Sequence, residues 1–162
     1  MGQDTIVRVA DFRAVGADGV LVTLGLGSCV GIALYDATVK VGGLAHVLLP
    51  SPSLGRKSAD QPAKFPQTAI PALLAEMAQL GAERRRLTAR LVGGASMFAN
   101  LAPPGSVQMG ERNLVASREV LNAHGIPVTG ESVGGDFGRS VRFVVGEGRI
   151  HVRSVAHGEQ TL

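Results

Sequence analysis

Cysteine is almost absent from this 162-residue chain: Cys29 is the whole supply. No disulfide can staple the fold, and a thiolate cage for a metal is excluded within one chain. A lone free thiol suits a reducing compartment, so the expected location is cytoplasmic. Aromatic residues are scarce too, with no Trp, one Tyr and five Phe. A nucleic-acid surface wants stacking rings beside its cations, and the densest basic cluster, Arg84-Arg85-Arg86 with Arg90, has none adjoining it. That cluster reads as a solvated turn after a helix or, with a net charge of +3, as an attraction for an acidic protein surface. Apolar runs break at Gly, Pro or charge well before the ~18 residues of a membrane span. The start, Met1-Gly2-Gln3-Asp4, lacks the basic and apolar regions of a signal peptide. Neither nucleic-acid binding nor membrane insertion is expected.

What is present suits one folded domain over residues 1–162. Hydrophobic residues make up 45% and charged residues 18%, a balance that supports a core rather than disorder. A chain of this size buries roughly 70% of the surface its unfolded form exposes. Val20 to Leu24 reads as a buried strand, Gly25-Leu26-Gly27 as a glycine turn, and Ser28 to Tyr35 as a second strand. Asp36 to Lys40 reverses the chain into a third strand, Val41 to Leu49. A polar loop, Ser51 to Lys64, precedes a helix from about Thr68 to Leu80, with Pro71 in its first turn and Gly81 as its stop. A strand at Leu87–Val92, a helix near Glu111–His124 and strands at Val128–Val133, Ser140–Val145 and Ile150–Val155 follow, the last two as a hairpin. Paired glycines such as Gly42-Gly43 and Gly93-Gly94 suggest close backbone approaches or bulges. Hairpins outnumber helices, so the expected class is α+β.

The chemistry centres on Cys29 and His46. In an antiparallel hairpin with a four-residue loop, Asp36 to Val39, Cys29 stands directly opposite His46. Such neighbours share a face, with Cβ atoms ~4.5–5.5 Å apart. A one-residue slip would send them to opposite faces. A thiol titrates near ~8.5, and a neighbouring imidazole is expected to lower that value. Backbone N–H groups around Gly27, Ser28 and Cys29 are candidates for an oxyanion nest. Thr23 carries the hydroxyl best placed to orient the imidazole. The competing reading is a small apolar Cys and a core His. His124, His151 and His157 read as structural or terminal. Arg112 and Arg139, in glycine-flanked motifs, read either as substrate-groove residues or as salt-bridge partners, and Asn113 as a brace for the second helix.

The run Thr23-Leu-Gly-Leu-Gly-Ser-Cys29-Val-Gly-Ile-Ala-Leu-Tyr-Asp36, then Gly43-Leu-Ala-His46-Val-Leu-Leu-Pro50, resembles the chemoreceptor glutamine deamidases of the CheD family. The likeness continues through Gly93-Gly-Ala-Ser-Met-Phe98, Gly110-Glu-Arg-Asn113, Gly134-Gly-Asp-Phe-Gly-Arg-Ser140 and Gly158-Glu-Gln160. It implies layered mixed β-sheets with flanking helices, similar to the cysteine deamidase toxin domains. It also implies a Cys29, His46 and Thr23 triad that needs no metal or organic cofactor. The implied substrate is a glutamine on the cytoplasmic helical bundle of a chemoreceptor, converted to glutamate through a thioester. One departure stands out: Phe65-Pro66-Gln67 replaces an aromatic, variable, aspartate pattern. Two other functions stay open. One is a regulatory binding module for a CheC-type chemotaxis phosphatase, which the resemblance also implies; the other is a cysteine hydrolase or transglutaminase with a different substrate.

Overall fold

The computed structural model describes residues 3–52 and 61–162. Among the described residues, ten strands form two five-stranded mixed sheets. In chain order they are β1 (Gln3–Ile6), β2 (Phe12–Val15), β3 (Gly19–Leu26), β4 (Val30–Asp36), β5 (Val41–Val47), β6 (Thr88–Gly93), β7 (Val128–Val133), β8 (Arg139–Val144), β9 (Arg149–Ser154) and β10 (Gly158–Thr161). One sheet runs β1-β3-β8-β9-β10 and the other β2-β5-β4-β6-β7. The pairs β1–β3 and β6–β7 are parallel and the rest antiparallel. The helices are α1 (Pro66–Gln79) and α2 (Met109–Ala123).

Two apolar layers give this order its shape. Leu21, Leu26, Ala33, Leu44, Val92, Val141, Phe143 and Ile150 fill the space between the sheets. Ile32, Leu34, Ala45 and Val47 face the other way, against Ile70, Leu73 and Met77 of α1 and Leu114 and Leu121 of α2. The second sheet is therefore covered on both faces, and β4 is buried nearly throughout. Its central strands β4 and β5 accordingly read as near-continuous buried runs rather than alternating ones. The expected α+β class with layered mixed sheets and flanking helices is what the chain adopts.

Several boundaries differ from expectation for identifiable reasons. The strands β1 and β10 are short and largely polar or exposed, and β2 is only four residues long, so they carry little strand signal. Gly25-Leu26-Gly27 does not end β3: Gly25 (φ +69°) makes a bulge, and Leu26 still pairs with Arg139. The α1 helix starts at Pro66, two residues early, which moves Pro71 into the second turn, where its missing N–H leaves the Gln67 carbonyl without an intrahelical donor. Of the polar loop expected over 51–64, residues 53–60 lie outside the described residues, as do Met1 and Gly2; Pro62–Lys64 form a 3-10 turn. At Phe65-Pro66-Gln67, the Phe65 ring is wholly buried and Gln67 Nε2 donates to the Pro50 carbonyl at 2.8 Å.

Gly42 and Gly43 serve close approach, not a bulge, because the β4–β5 ladder passes them without interruption. A Cβ on Gly42 would lie 2.6 Å from Val145 Cγ2, and one on Gly43 2.7 Å from Leu73 Cδ1. Bare backbone at adjacent positions thus lets the first sheet and α1 close on β5 from opposite sides.

Candidate active site

The β4–β5 register sets the face on which each candidate stands. The ladder pairs Asp36 with Val41 and Gly31 with His46, so Cys29 is not directly opposite His46. Asp36 remains in the strand, and the loop is residues 37–40. The cause is the Asp36 carboxylate. It accepts from the Thr38 amide at 3.0 Å, the Glu83 amide at 2.9 Å and Arg86 Nε at 2.9 and 3.0 Å. Burial works to raise its pKa, but Arg86 and these amides prevail and hold it below the ordinary carboxylate value. The displacement along the ladder is two residues, an even number, so the face is preserved. His46 stands on the side of β5 that also carries Leu44, and Cys29, one residue before the first ladder pair at Val30, packs against the same layer.

That side faces the other sheet, which supplies Thr23. The Thr23 hydroxyl donates to the Val7 carbonyl at 2.6 Å and lies 2.7 Å from His46 Nδ1. A hydroxyl has one proton, and the carbonyl takes it. Thr23 Oγ1 therefore accepts from Nδ1–H, which fixes the tautomer and leaves Nε2 with its lone pair. Among the described residues, Nε2 is buried without a hydrogen-bond partner. The ring's backbone is held as well: His46 N–H donates to the Asp11 carbonyl at 3.0 Å, and Ala10 N–H donates to the His46 carbonyl at 2.9 Å. Thus the crossover from β1 to β2 supplies Val7, Ala10 and Asp11 behind the imidazole. Sequence reading missed this contribution, because backbone groups leave no residue-type signal.

The thiol stands on the bend of residues 27–29 that carries the chain from one sheet to the other. Cys29 is half-buried, and its pKa is raised by desolvation, against a smaller opposing contribution from its own backbone amide. Sequence reading expected a lowered value. His46 is wholly buried, and desolvation lowers its pKa to about 4. Both shifts favour the uncharged forms, so at neutral pH the resting protein holds a thiol and a neutral imidazole. The proton must move when a substrate arrives.

Around the bend, the polypeptide is gripped from several sides. Gly94 N–H donates to the Cys29 carbonyl at 2.9 Å, and Ala95 N–H to the Gly27 carbonyl at 2.8 Å. Gly93, at φ +106°, comes so near the Cys29 carbonyl that a Cβ there would collide with it. The amide of Gly27 is already donated to the Gly25 carbonyl at 3.1 Å, so it is not a free oxyanion donor as expected; Ser28 and Cys29 remain candidates. On the remaining side, Asn113 Nδ2 donates to the Ser28 carbonyl at 2.8 Å and the Leu48 carbonyl at 3.2 Å. Sequence reading assigned Asn113 only to its own helix. A polar residue in the buried stripe Gly110, Asn113, Leu114, Ser117, Leu121 was the available signal.

A cavity of about 150 Å3 opens beside Ser28, bounded by Ser96, Met97, Phe98, Gln108 and Gly110. Its rim is apolar and exposed at Met97 and Phe98. The two arginines stand apart from it. Arg112 borders a separate depression with Pro50, Gln67 and Glu119. Arg139 is buried; its guanidinium donates to Ser132 Oγ at 3.1 Å and the Gly134 carbonyl at 2.8 Å, and stacks 4.1 Å from the Phe137 ring centroid. It reaches a third depression at Phe137 and Arg153, not the thiol. Among the described residues, no cluster of His, Cys, Asp and Glu could hold a metal, and no helix is long and apolar enough to cross a membrane.

The family model described as CheD chemotactic sensory transduction matches residues 48–154. A Caldanaerobacter subterraneus protein named "Probable chemoreceptor glutamine deamidase CheD" is 41% identical over 152 residues, covering 94% of this chain and 93% of its own. A Geobacter metallireducens protein, "Probable chemoreceptor glutamine deamidase CheD 2", is 44% identical over 149 residues and 92% of each chain. An Archaeoglobus fulgidus protein with the first of these names is 41% identical over 159 residues and 98% of each chain. With its length matched almost end to end at this identity, the chain belongs to the CheD family.

Proposed function

We propose that this protein is a cysteine-dependent deamidase that hydrolyses glutamine side chains of chemoreceptors to glutamate. The observation that carries the reading is the Thr23–His46 pair, which occupies Nδ1 and leaves Nε2 without a partner among the described residues, on the side of β5 whose apolar layer Cys29 packs against. The names of the relatives support the substrate.

In this reading Cys29 Sγ attacks the carboxamide carbon while its proton passes to His46 Nε2. The carbonyl π pair becomes an oxyanion, received by the amides of Ser28 and Cys29. As the C–N bond breaks, imidazolium returns the proton to the departing nitrogen and ammonia leaves. Water then gives a proton to the same Nε2 and adds to the thioester. Collapse of the second intermediate releases glutamate and restores the thiol. Thr23 holds the ring in the required tautomer throughout. The chain's own residues supply every proton transfer, so the step needs no cofactor.

The exposed Met97 and Phe98 that line the cavity suit the apolar side chains of a helical bundle, so we infer that the receptor's cytoplasmic bundle docks there. On this reading the protein works in the cytoplasm, as one domain over residues 1–162. Purified chemoreceptor incubated with wild type or Cys29→Ala, followed by peptide mass spectrometry, tests the reading. A 1 Da gain at single glutamines with wild type alone supports it. No gain with wild type, or equal gain with Cys29→Ala, sinks it. Retained phosphatase binding without any gain would favour the regulatory module instead.

A further inference from the structure

We propose that Asn113 is a positioning residue for this reaction: its amide ties the nucleophile's bend to the end of the base's strand and thereby sets how Cys29 meets His46. The activity readouts rest on the deamidase reading above; the geometry does not. Asn113 is the fifth residue of α2 and is wholly buried. Its two N–H bonds reach the Ser28 carbonyl, one residue before the thiol, and the Leu48 carbonyl, two residues beyond His46. A primary amide has two N–H donors, and both are spent here.

The helix makes no use of this side chain. Gln108 is the N-cap, and the bond from Ser117 Oγ goes to Asn113's backbone carbonyl. Asn113 Oδ1 is buried and accepts no hydrogen bond from the described residues. A leucine or methionine could fill the space without taking an orphaned acceptor out of water. Turning the amide over is excluded, since its oxygen would then face two carbonyl oxygens.

The link matters because Cys29 precedes the first ladder residue of β4, Val30. The strand pairing that orients His46 stops short of the thiol. Gly94 and Ala95 hold the bend toward β6, and Asn113 alone among the described side chains holds it toward β5. Loss of that tie lets residues 27–29 shift against 46–48, and a misplacement of about 1 Å costs on the order of 10²-fold in rate.

The test uses the full chain carrying Asn113→Ala or Asn113→Asp, with receptor deamidation followed by mass spectrometry. We expect kcat to fall about 100-fold with KM within about threefold of wild type, because Asn113 does not touch the substrate. Asn113→Asp should do no better than Asn113→Ala, since its oxygen meets the two carbonyls. In parallel, the rate of Cys29 alkylation by iodoacetamide is followed against pH. The component lost in His46→Ala should also be lost in both variants. A folded Asn113→Ala protein with near-wild-type kcat and alkylation profile, and merely a lower Tm, overturns the proposal. Should the variants fail to fold, NMR of the wild type decides: slow exchange of both Asn113 Nδ2 protons, shifted by Cys29 alkylation, supports the tie, and free exchange overturns it. A wild type inactive on receptor, with alkylation that still depends on Asn113, would refute the deamidase reading while supporting the positioning role.

Discussion

On the helix side of β4 and β5 stand Ile32, Leu34, Ala45 and Val47; on the other side the same two strands carry Ala33, Leu44 and His46. The first layer is closed by α1 and α2 with aliphatic side chains and Met77. The second is closed by another sheet, and at one end it admits Thr23, His46 and the half-buried Cys29. Alternation along one strand thus serves two purposes within two residues. The helix-side layer gains its stability from close-packed volume. The sheet-side layer spends part of that stability on keeping a basic ring uncharged in an apolar surround.

Removing the thiol should divide the layers most sharply. Cys29→Ala is expected to lower deamidation at least ~10³-fold with little change in Tm, read by mass spectrometry and thermal unfolding. Leu73→Ala, on the other face, should do the reverse. It should cost about 2–5 kcal/mol in denaturant unfolding and leave kcat near wild type below the Tm. A large loss of kcat in folded Leu73→Ala would break the division.

Acid should stress the sheet-side layer specifically. The folded protein holds His46 at about 4, below the 6.5 of an unperturbed ring. The unfolded chain therefore binds the proton first as pH falls. The stability attached to the neutral ring is complete above pH 6.5 and is lost between 6.5 and 4, by about 3 kcal/mol at most. Unfolding of wild type and His46→Gln across that window checks it; parallel curves would mean that the ring is not held neutral. Thr23→Val should have the smallest effect. It strands the Val7 carbonyl and His46 Nδ1, costing about 1–3 kcal/mol, and frees the ring to turn. A kcat loss of roughly tenfold to a hundredfold is expected, and an unchanged pH–rate profile would count against the tautomer argument.

Legibility in the sequence followed the strength of local signals. The helix stripe Ile70, Leu73, Met77 and the stop at Gly81 place α1 to within two residues. Val128–Val133 is recovered in full, because turn residues bound it on both sides. The short strands Gln3–Ile6 and Phe12–Val15 were illegible, since their value lies in carbonyls and amides that any residue carries. The hairpin loop was misplaced by one residue because Asp36 looks like a turn former until Arg86, fifty residues away, is seen to hold it.

By itself the sequence determined which atoms are available: one thiol, an imidazole on the neighbouring strand of a hairpin, and glycines where close approach is needed. Only the tertiary structure decided that Thr23 crosses from the other sheet to set the imidazole's tautomer, and that Asn113 joins the bend to β5. It also decided that burial leaves thiol and ring uncharged. The reason is range. Strand alternation and helix period act over a few residues and are written in residue type. Stacking of sheets and desolvation depend on surfaces brought together from distant parts of the chain.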